Sequence, residues 1–329
     1  MKKLIFMILM SLMLFCNASA AEDGRFIEKI NYLDKNLVAV GLPDYPPFSV
    51  MGERELKSAF LKPLYKAMQK YGVKVEYPKN IKDDFQTIKM LLINTRAGTY
   101  QLFIGANSDT KLFTGLELVY PAVVTNPIHL ITLAEKQGQI KSFSDLEKLK
   151  GVASRSEYFS DFVTRKLKEI NVNFVDTPYD AYEQLFKGDV DYIMGGLYYN
   201  KIMASRLGVG RYLAYSKNPL YKIPVFLALS PVMPKLTEYQ KAIHEALLNP
   251  EFAKSVKEEI VRIVEEEITA NDGIVPPSFA QYQTEKEEEK FDEEFDEEDN
   301  NDVENNLNSG HIVEKEVHQR TMEEVLEGL

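Results

Sequence analysis

The chain has 329 residues, 45% of them hydrophobic, with 39 Lys and Arg against 50 Asp and Glu and a formal net charge of −11. That balance presents no basic footprint for nucleic acid. The acidity is concentrated: residues 284–329 hold 18 Asp and Glu against 4 Lys and Arg, so the remainder of the chain is close to neutral.

Lys2 and Lys3 precede an apolar run from Leu4 to Phe15, and Ala18-Ser19-Ala20 follows with small residues. This is the pattern of an export signal, residues 1–20, cleaved after Ala20. The run is shorter than the roughly 20 apolar residues of a membrane-spanning helix. Cys16 invites lipidation, but Phe15 stands before it where that processing wants a small side chain. The expectation is therefore a periplasmic protein released from its signal. Cys16 is the single cysteine, so the cleaved chain would have no disulfide, thiolate nucleophile or Cys-based zinc site. No later apolar stretch is long enough to span a bilayer.

From Leu37 the chain alternates short apolar runs with helical ones, the grammar of an α/β protein. Leu37 to Val40 reads as a buried strand, broken by Gly41 and the turn Asp44-Tyr45-Pro46-Pro47-Phe48. Phe60, Leu64, Ala67, Met68 and Tyr71 share one face of a helix that Gly72 ends, with Pro63 in its first turn. A strand at Val73 to Tyr77, a helix carrying Phe85, Ile88, Leu91 and Leu92, and the strand Leu102 to Ile104 complete a β-α-β-α-β unit.

The same order then returns. Ser144-Asp145-Leu146 opens a short helix, Gly151 to Ala153 is a strand, and Ser156 to Ile170 is a helix with Phe159, Phe162 and Leu167 inward. The strand Val172 to Val175, a helix over Ala181 to Phe186 and the strand Tyr192 to Met194 follow. Residues 97–105 and 186–195 echo each other, each with a Gly at a helix end, one short turn and an apolar strand ending in Gly. Beyond a strand at Pro224 to Leu229, helices run from Thr237 to Leu248 and from Glu251 to Ile268, separated by Asn249-Pro250. Residues 285–302 are dominated by carboxylates, too poor in apolar groups to offset the entropy of ordering, and are expected to be disordered. Ile312, Val313, Val317, Val325 and Leu326 allow a marginal terminal helix.

Taken in order, these residues resemble the bacterial extracellular solute-binding proteins of the polar-amino-acid type (family 3), the receptors of ABC importers. The entry strand and aromatic turn look like Leu37 to Phe48, and the "short helix, Gly, Tyr, Asp, strand, small residues, Thr" segment looks like Ala97 to Thr110. The start of the second lobe looks like Ser142 to Leu146, and the "Leu, Gly, Val-Asp, strand" element looks like Leu185 to Gly195. The resemblance runs from about Leu37 to Ile263. It implies a two-lobed, type II periplasmic-binding-protein-like fold with two hinge-strand crossovers, near Val124 to Ile128 and Leu220 to Pro224. The implied division is lobe 1 over 21–125, lobe 2 over 126–222, a return to lobe 1 over 223–275, and an acidic tail over 276–329.

The resemblance further implies a monomer that binds a small polar solute in an interlobe cleft and presents it to a membrane permease, with no cofactor and no bound metal. The residues it brings forward are Asp44, Tyr45 and Phe48 after the first strand; Asn107, Ser108, Thr110 and Lys111 after the strand ending at Ile104; Ser154, Arg155 and Ser156 in the anion loop of lobe 2; and Gly196 and Tyr198 after the last lobe-2 strand. Strand alternation would turn either Tyr198 or Tyr199 toward the solute. Two departures matter. Amino-acid binders of this type carry an Arg three residues after the position of Thr110 and an Asp at the position of Gly196; here those places hold Phe113 and Gly196. A zwitterion buried without both partners would carry unpaired charges, which costs several kcal/mol, so the ligand is not expected to be a standard α-amino acid.

Enzyme constellations are absent from the sequence: there is no Gly-x-Ser-x-Gly elbow and no phosphate-binding glycine loop. His129 and His244 read as packing or surface residues, while His311, Glu314 and His318 have helical spacing but fall in the acidic tail. Two other readings stand beside the receptor. One is an enzyme resembling cyclohexadienyl dehydratases, with Asp44 or Glu157 as its acid; the other is an interaction protein acting through the acidic tail.

Overall fold

The computed structural model describes residues 36–52, 55–78, 87–138, 140 and 143–280. The export signal, Cys16, Phe85, Ser142, the acidic segment 284–329 and the His311, Glu314 and His318 group lie outside the described residues. The described chain forms two compact units. Unit 1 takes residues up to Val124 and from Pro224 to Ile260; unit 2 takes Thr125 to Ile223 and the residues from Val261 onward.

Unit 1 begins with β1 (Asn36–Gly41), whose Leu37, Ala39 and Val40 are all buried, as a strand covered on both faces requires. A small antiparallel sheet follows, made of β2 (Asp44–Tyr45), β3 (Ser49–Met51) and β4 (Leu56–Lys57). Helix α1 (Leu61–Gln69) buries Pro63, Leu64 and Met68, and Gly72 leaves it with φ +68°, the left-handed conformation that favours glycine. Strand β5 (Lys74–Glu76), helix α2 (Ile88–Arg96) and strand β6 (Leu102–Ala106) come next. β1 pairs in parallel with both β5 and β6, the β-α-β-α-β unit expected from the apolar runs.

The chain leaves unit 1 inside β7 (Glu117–Leu133). Unit 2 then adds α3 (Phe143–Leu146), β8 (Gly151–Ser154), α4 (Asp161–Glu169), β9 (Val172–Val175), α5 (Pro178–Lys187), β10 (Tyr192–Gly196), α6 (Leu197–Arg206) and β11 (Leu213–Tyr215). β8 pairs in parallel with β9 and β10, and β10 is antiparallel to β7. Ile128, Ala153, Leu167, Tyr192 and Met194 form the centre of its core, each large apolar group contributing about 1.5–3 kcal/mol by burial. α5 is specified locally: Thr177 and Asp180 form a capping box, Pro178 opens the first turn and Gly188 closes the last at φ +76°.

Two expectations for unit 2 are corrected. The helix expected from Ser156 starts only at Asp161, capped by Ser160, whose side chain accepts from Val163 N–H at 3.1 Å. Arg155–Glu157 form a single 3-10 turn and Tyr158 sits in the left-handed region at φ +50°, which breaks any helix through it. The shifted register turns Phe162 outward, 42% exposed, while Phe159 and Leu167 stay inward. Likewise, Tyr198 and Tyr199 lie in the first turn of α6 rather than on a strand, and both are buried. The strand ends at Gly196, so alternation no longer applies to them.

β12 (Tyr221–Leu229) returns the chain to unit 1, where its second half pairs antiparallel with β6. α7 (Leu236–Leu248) and α8 (Pro250–Ala270) follow. α8 belongs to unit 1 through Ile260 and to unit 2 from Val261. In unit 2 its Glu267 accepts from Arg206 Nε and Nη2 at 3.1 and 2.9 Å, and beyond it Phe279 packs on Tyr179 and Phe186. Among the described residues no helix is long and apolar enough to cross a membrane.

Candidate functional site

In each unit the candidate residues fall at the carboxyl ends of parallel strands, the edge of an open α/β sheet where ligands bind. In unit 1, Asp44, Tyr45 and Phe48 follow β1, and Asn107, Ser108, Thr110 and Lys111 follow β6. Asp44, Ser108 and Lys111 are exposed. Tyr45 and Phe48 are core residues, their rings 5.2 Å apart, with Phe48 against Phe60. Asn107 is buried; its Oδ1 accepts from Asp109 N–H at 2.9 Å, and its Nδ2 has no hydrogen-bond partner among the described residues. Thr110 caps the 3-10 turn Lys111–Phe113 by accepting from Leu112 N–H.

Phe113, where a carboxylate-clamping arginine would stand, is 4% exposed and packs on Phe103 with ring centroids 5.6 Å apart. This position is therefore part of the core of unit 1. An arginine that sequence reasoning passed over, Arg96, donates to the carbonyls of Leu112 and Thr114 at 2.8 and 2.9 Å and so holds the same turn from the end of α2.

At the ends of β8 and β10, unit 2 brings together hydroxyls, amides and the Glu157 carboxyl. Ser154 Oγ lies 2.7 Å from Ser156 Oγ, which lies 3.0 Å from Tyr199 OH. Arg155 points elsewhere. Its side chain is 61% exposed, Nε is 3.3 Å from Asp176, Nη2 donates to Phe174 carbonyl and the guanidinium lies over the Phe174 ring.

Glu157, beside it, is 1% exposed. Its Oε2 accepts from Gly196 N–H at 2.5 Å and its Oε1 from Asn200 Nδ2 at 2.9 Å. Asn200 also donates to Gly196 carbonyl and accepts from Tyr182 OH at 3.0 Å. Burial pushes the Glu157 carboxyl up to about 8, with the Gly196 amide and Asn200 pulling against it. The same carboxylate raises the phenols of Tyr182 and Tyr215, for which burial is the larger cause. Tyr215 OH is shut off from solvent and has no hydrogen-bond partner among the described residues.

The two glycines that end β10 leave space for neighbouring side chains. A Cβ at Gly195 would lie 2.2 Å from Asn200 Nδ2 and 2.4 Å from Glu157 Oε1, and one at Gly196 would lie 2.7 Å from Asn126 Nδ2. A side chain at Gly195 would displace Asn200 and Glu157, and one at Gly196 would displace Asn126. Asn126, Tyr182 and Asn200 were not singled out from the sequence; the Gly195-Gly196 pair was the available signal, because adjacent glycines at a strand end mark close approach of other groups.

The described histidines are structural. His129 Nδ1 faces Ser216 carbonyl at 2.8 Å and burial lowers its pKa, while His244 Nδ1 faces Tyr120 carbonyl at 2.7 Å. Among the described residues no group of three His, Cys, Asp or Glu converges on a metal-sized point.

No protein-family description matches this chain, and no curated protein matches it in sequence. Solved structures do. A putative binding component of an ABC transporter from Wolinella succinogenes, complexed with lysine, is similar at TM-score 0.53 and 18% identity over 70% of this chain and 97% of that one. An ancestral cationic amino acid solute binding protein gives TM-score 0.52 and 15% identity over 72% and 99%. The periplasmic VFT2 domain of Bordetella pertussis BvgS gives 0.52 and 17% over 74% and 97%. Identities this low speak for the fold alone, and with the strand order and the double α/β construction they establish it: the chain has the two-lobed α/β fold of the type II periplasmic binding proteins.

Proposed function

We propose that this chain is an extracytoplasmic receptor that binds a small polar, uncharged solute and delivers it to an ABC-transporter permease. The observation that carries the reading is the placement of the polar loops. In both units they close the carboxyl ends of parallel strands, as ligand loops do in this architecture. The chemistry of those loops favours a neutral ligand. Phe113 is sealed in the core, Gly196 offers no carboxylate, and Arg155 turns to Asp176 and Phe174. Ser156, Ser108, Thr110 and Asn107 supply the hydroxyl and amide groups that recognise such a solute.

A thermal-shift screen of the purified protein against sugars, polyols, amides, amines, amino acids and organic acids tests this. Saturable stabilisation is expected from a neutral polar class, because a ligand that binds only the native state raises its stability by mass action. A response confined to amino acids or acids would overturn the ligand class, and no response from any class would overturn the receptor.

One observation favours a second reading. A carboxyl that stays protonated up to about pH 8 has the acidity of a general acid, so Glu157 suits the dehydratase-like enzyme. Its two oxygens are both held by groups of its own unit, which leaves it no reach to a substrate. Turnover of a cyclic acid substrate that disappears in Glu157→Gln or Asp44→Asn would establish the enzyme; the expected result is no turnover in any of the three proteins.

A further inference from the structure

Tyr158 holds a backbone φ of +50°, a conformation that is strained for a bulky side chain and persists only where the surroundings enforce it. Two side chains of the preceding 3-10 turn, Arg155–Glu157, do so. Glu157 accepts from Gly196 N–H and Asn200 Nδ2, and Ser156 Oγ lies 3.0 Å from Tyr199 OH. Both contacts end on the same neighbour, the last residue of β10 and the first turn of α6. Adjacent residues thus fasten the turn by an acid and by a hydroxyl, and a movement that frees one frees the other.

The acid is the fastening that depends on a proton. Its carboxyl is 1% exposed and meets neutral groups. α6 brings Tyr199 and Asn200 to it, α5 brings Tyr182 and β11 brings Tyr215, the last two phenols kept protonated by burial. β7 places Asn126 beside Gly196, and His129 opposite Gly195 with its ring on the Ser216 carbonyl. The neighbouring cations are engaged elsewhere: Lys201 lies over the Tyr215 ring and Arg155 on Asp176 and Phe174. Burial therefore keeps the Glu157 proton up to about pH 8, against 4.5 for the exposed group. Between those values an open turn gains a hydrated carboxylate that the closed turn lacks, so opening becomes easier by about tenfold per pH unit and levels off above the upper value.

We propose that the turn Arg155–Tyr158 is a pH-operated latch of unit 2: Glu157 holds it shut while protonated, and loss of that proton lets the strained turn swing out and carry Ser156 away from Tyr199. The latch stands on the geometry of unit 2. Its consequence, a weaker hold on the solute as pH rises, rests on the receptor reading and gives that site a regulation.

Limited trypsin digestion of the purified protein reads the latch without any solute, because the Arg155–Ser156 bond lies in the turn and is cut only from an extended chain. The first fragments are expected to end at Arg155 while Arg165, inside α4, stays uncut. The rate of cutting at Arg155 in the wild type divided by that in Glu157→Gln cancels the protease's own pH dependence. That ratio should rise by about tenfold between pH 6 and pH 7 and level off above pH 8. A ratio that stays flat, or Arg155 and Arg165 cut together as in unfolding of the whole unit, would overturn the latch. Where Glu157→Gln does not fold, the Gly196 amide resonance of the wild type decides: a titration midpoint near 8 supports the latch, and one near 4.5, that of a hydrated carboxyl, removes it. A solute response in the thermal-shift screen with a flat cutting ratio keeps the receptor and discards the latch; a rising ratio with no solute response does the reverse.

Discussion

The turn after β6 in unit 1 and the turn after β8 in unit 2 each leave the carboxyl end of a parallel strand, and they are finished in opposite ways. In unit 1 the 3-10 turn Lys111–Phe113 drives an aromatic ring into the core against Phe103, while Arg96 ties down the carbonyls above it. In unit 2 the 3-10 turn Arg155–Glu157 drives a carboxylate inward, and Gly196, Asn200 and Tyr182 form its polar lining. Apolar contact needs only shape and volume. A buried carboxylate needs donors at defined points, and it remains sensitive to pH. The two turns thus fill their interior in two different ways: one with an apolar ring, the other with a carboxyl and the donors that meet it.

The largest effect is expected from the apolar side of this contrast. Phe113→Ala should cost about 3–5 kcal/mol in urea unfolding, the range for emptying a buried aromatic site. A loss near zero would mean that Arg96 alone holds the turn. On the polar side, Glu157→Ala should cost about 1–3 kcal/mol for each buried donor it leaves without an acceptor, measured in the absence of carboxylate buffers.

The pH dependence sharpens the comparison. The Glu157 carboxyl titrates at about 8 when folded against 4.5 when unfolded, so between those values the native state holds a proton that the unfolded chain has released. Its contribution is complete below about pH 4.5 and is lost as pH rises toward 8. Unfolding free energy should therefore decline across that window in the wild type, and Glu157→Gln should lack that component of the slope. An identical slope in the two proteins would assign it to other groups.

Helix caps provide a smaller contrast. Thr177→Ala removes a capping box from α5 and should cost about 1 kcal/mol. Thr87→Ala, at the start of α2 in unit 1, removes a single long contact of 3.4 Å to Met90 N–H and should cost less. The smallest effect belongs to Arg155→Ala, whose exposed ion pair with Asp176 should leave stability within about 0.5 kcal/mol of the wild type. Solute affinity should also be unchanged; a clear loss of affinity would return Arg155 to the binding surface.

Much of the fold was legible before any coordinates. The apolar run Leu37 to Val40, the face made by Phe60, Leu64 and Met68, and the helix over Ala181 to Phe186 each rest on neighbours within a few residues, and the structure shows the elements they predict. The start of α4 was misread because Phe159, two residues before the helix, stands at helical spacing from Phe162, while the left-handed backbone of Tyr158 leaves no trace in hydrophobic spacing. Tyr198 and Tyr199 were misread because a strand that ends two residues earlier carries no alternation beyond its end.

The candidate site divides in the same way. That Phe113 and Gly196 stand where the resemblance implies an Arg and an Asp could be read from the sequence. That Glu157 lies inside, on the amide of a residue 39 positions away and the side chain of one 43 positions away, could not. The amino-acid order determined the α/β alternation and the helix and strand signals, because those depend on backbone periodicity and caps within a single turn. Tertiary structure alone decided which polar groups went inside and what met them, because a buried polar group persists only where partners from distant parts of the chain arrive at hydrogen-bonding distance.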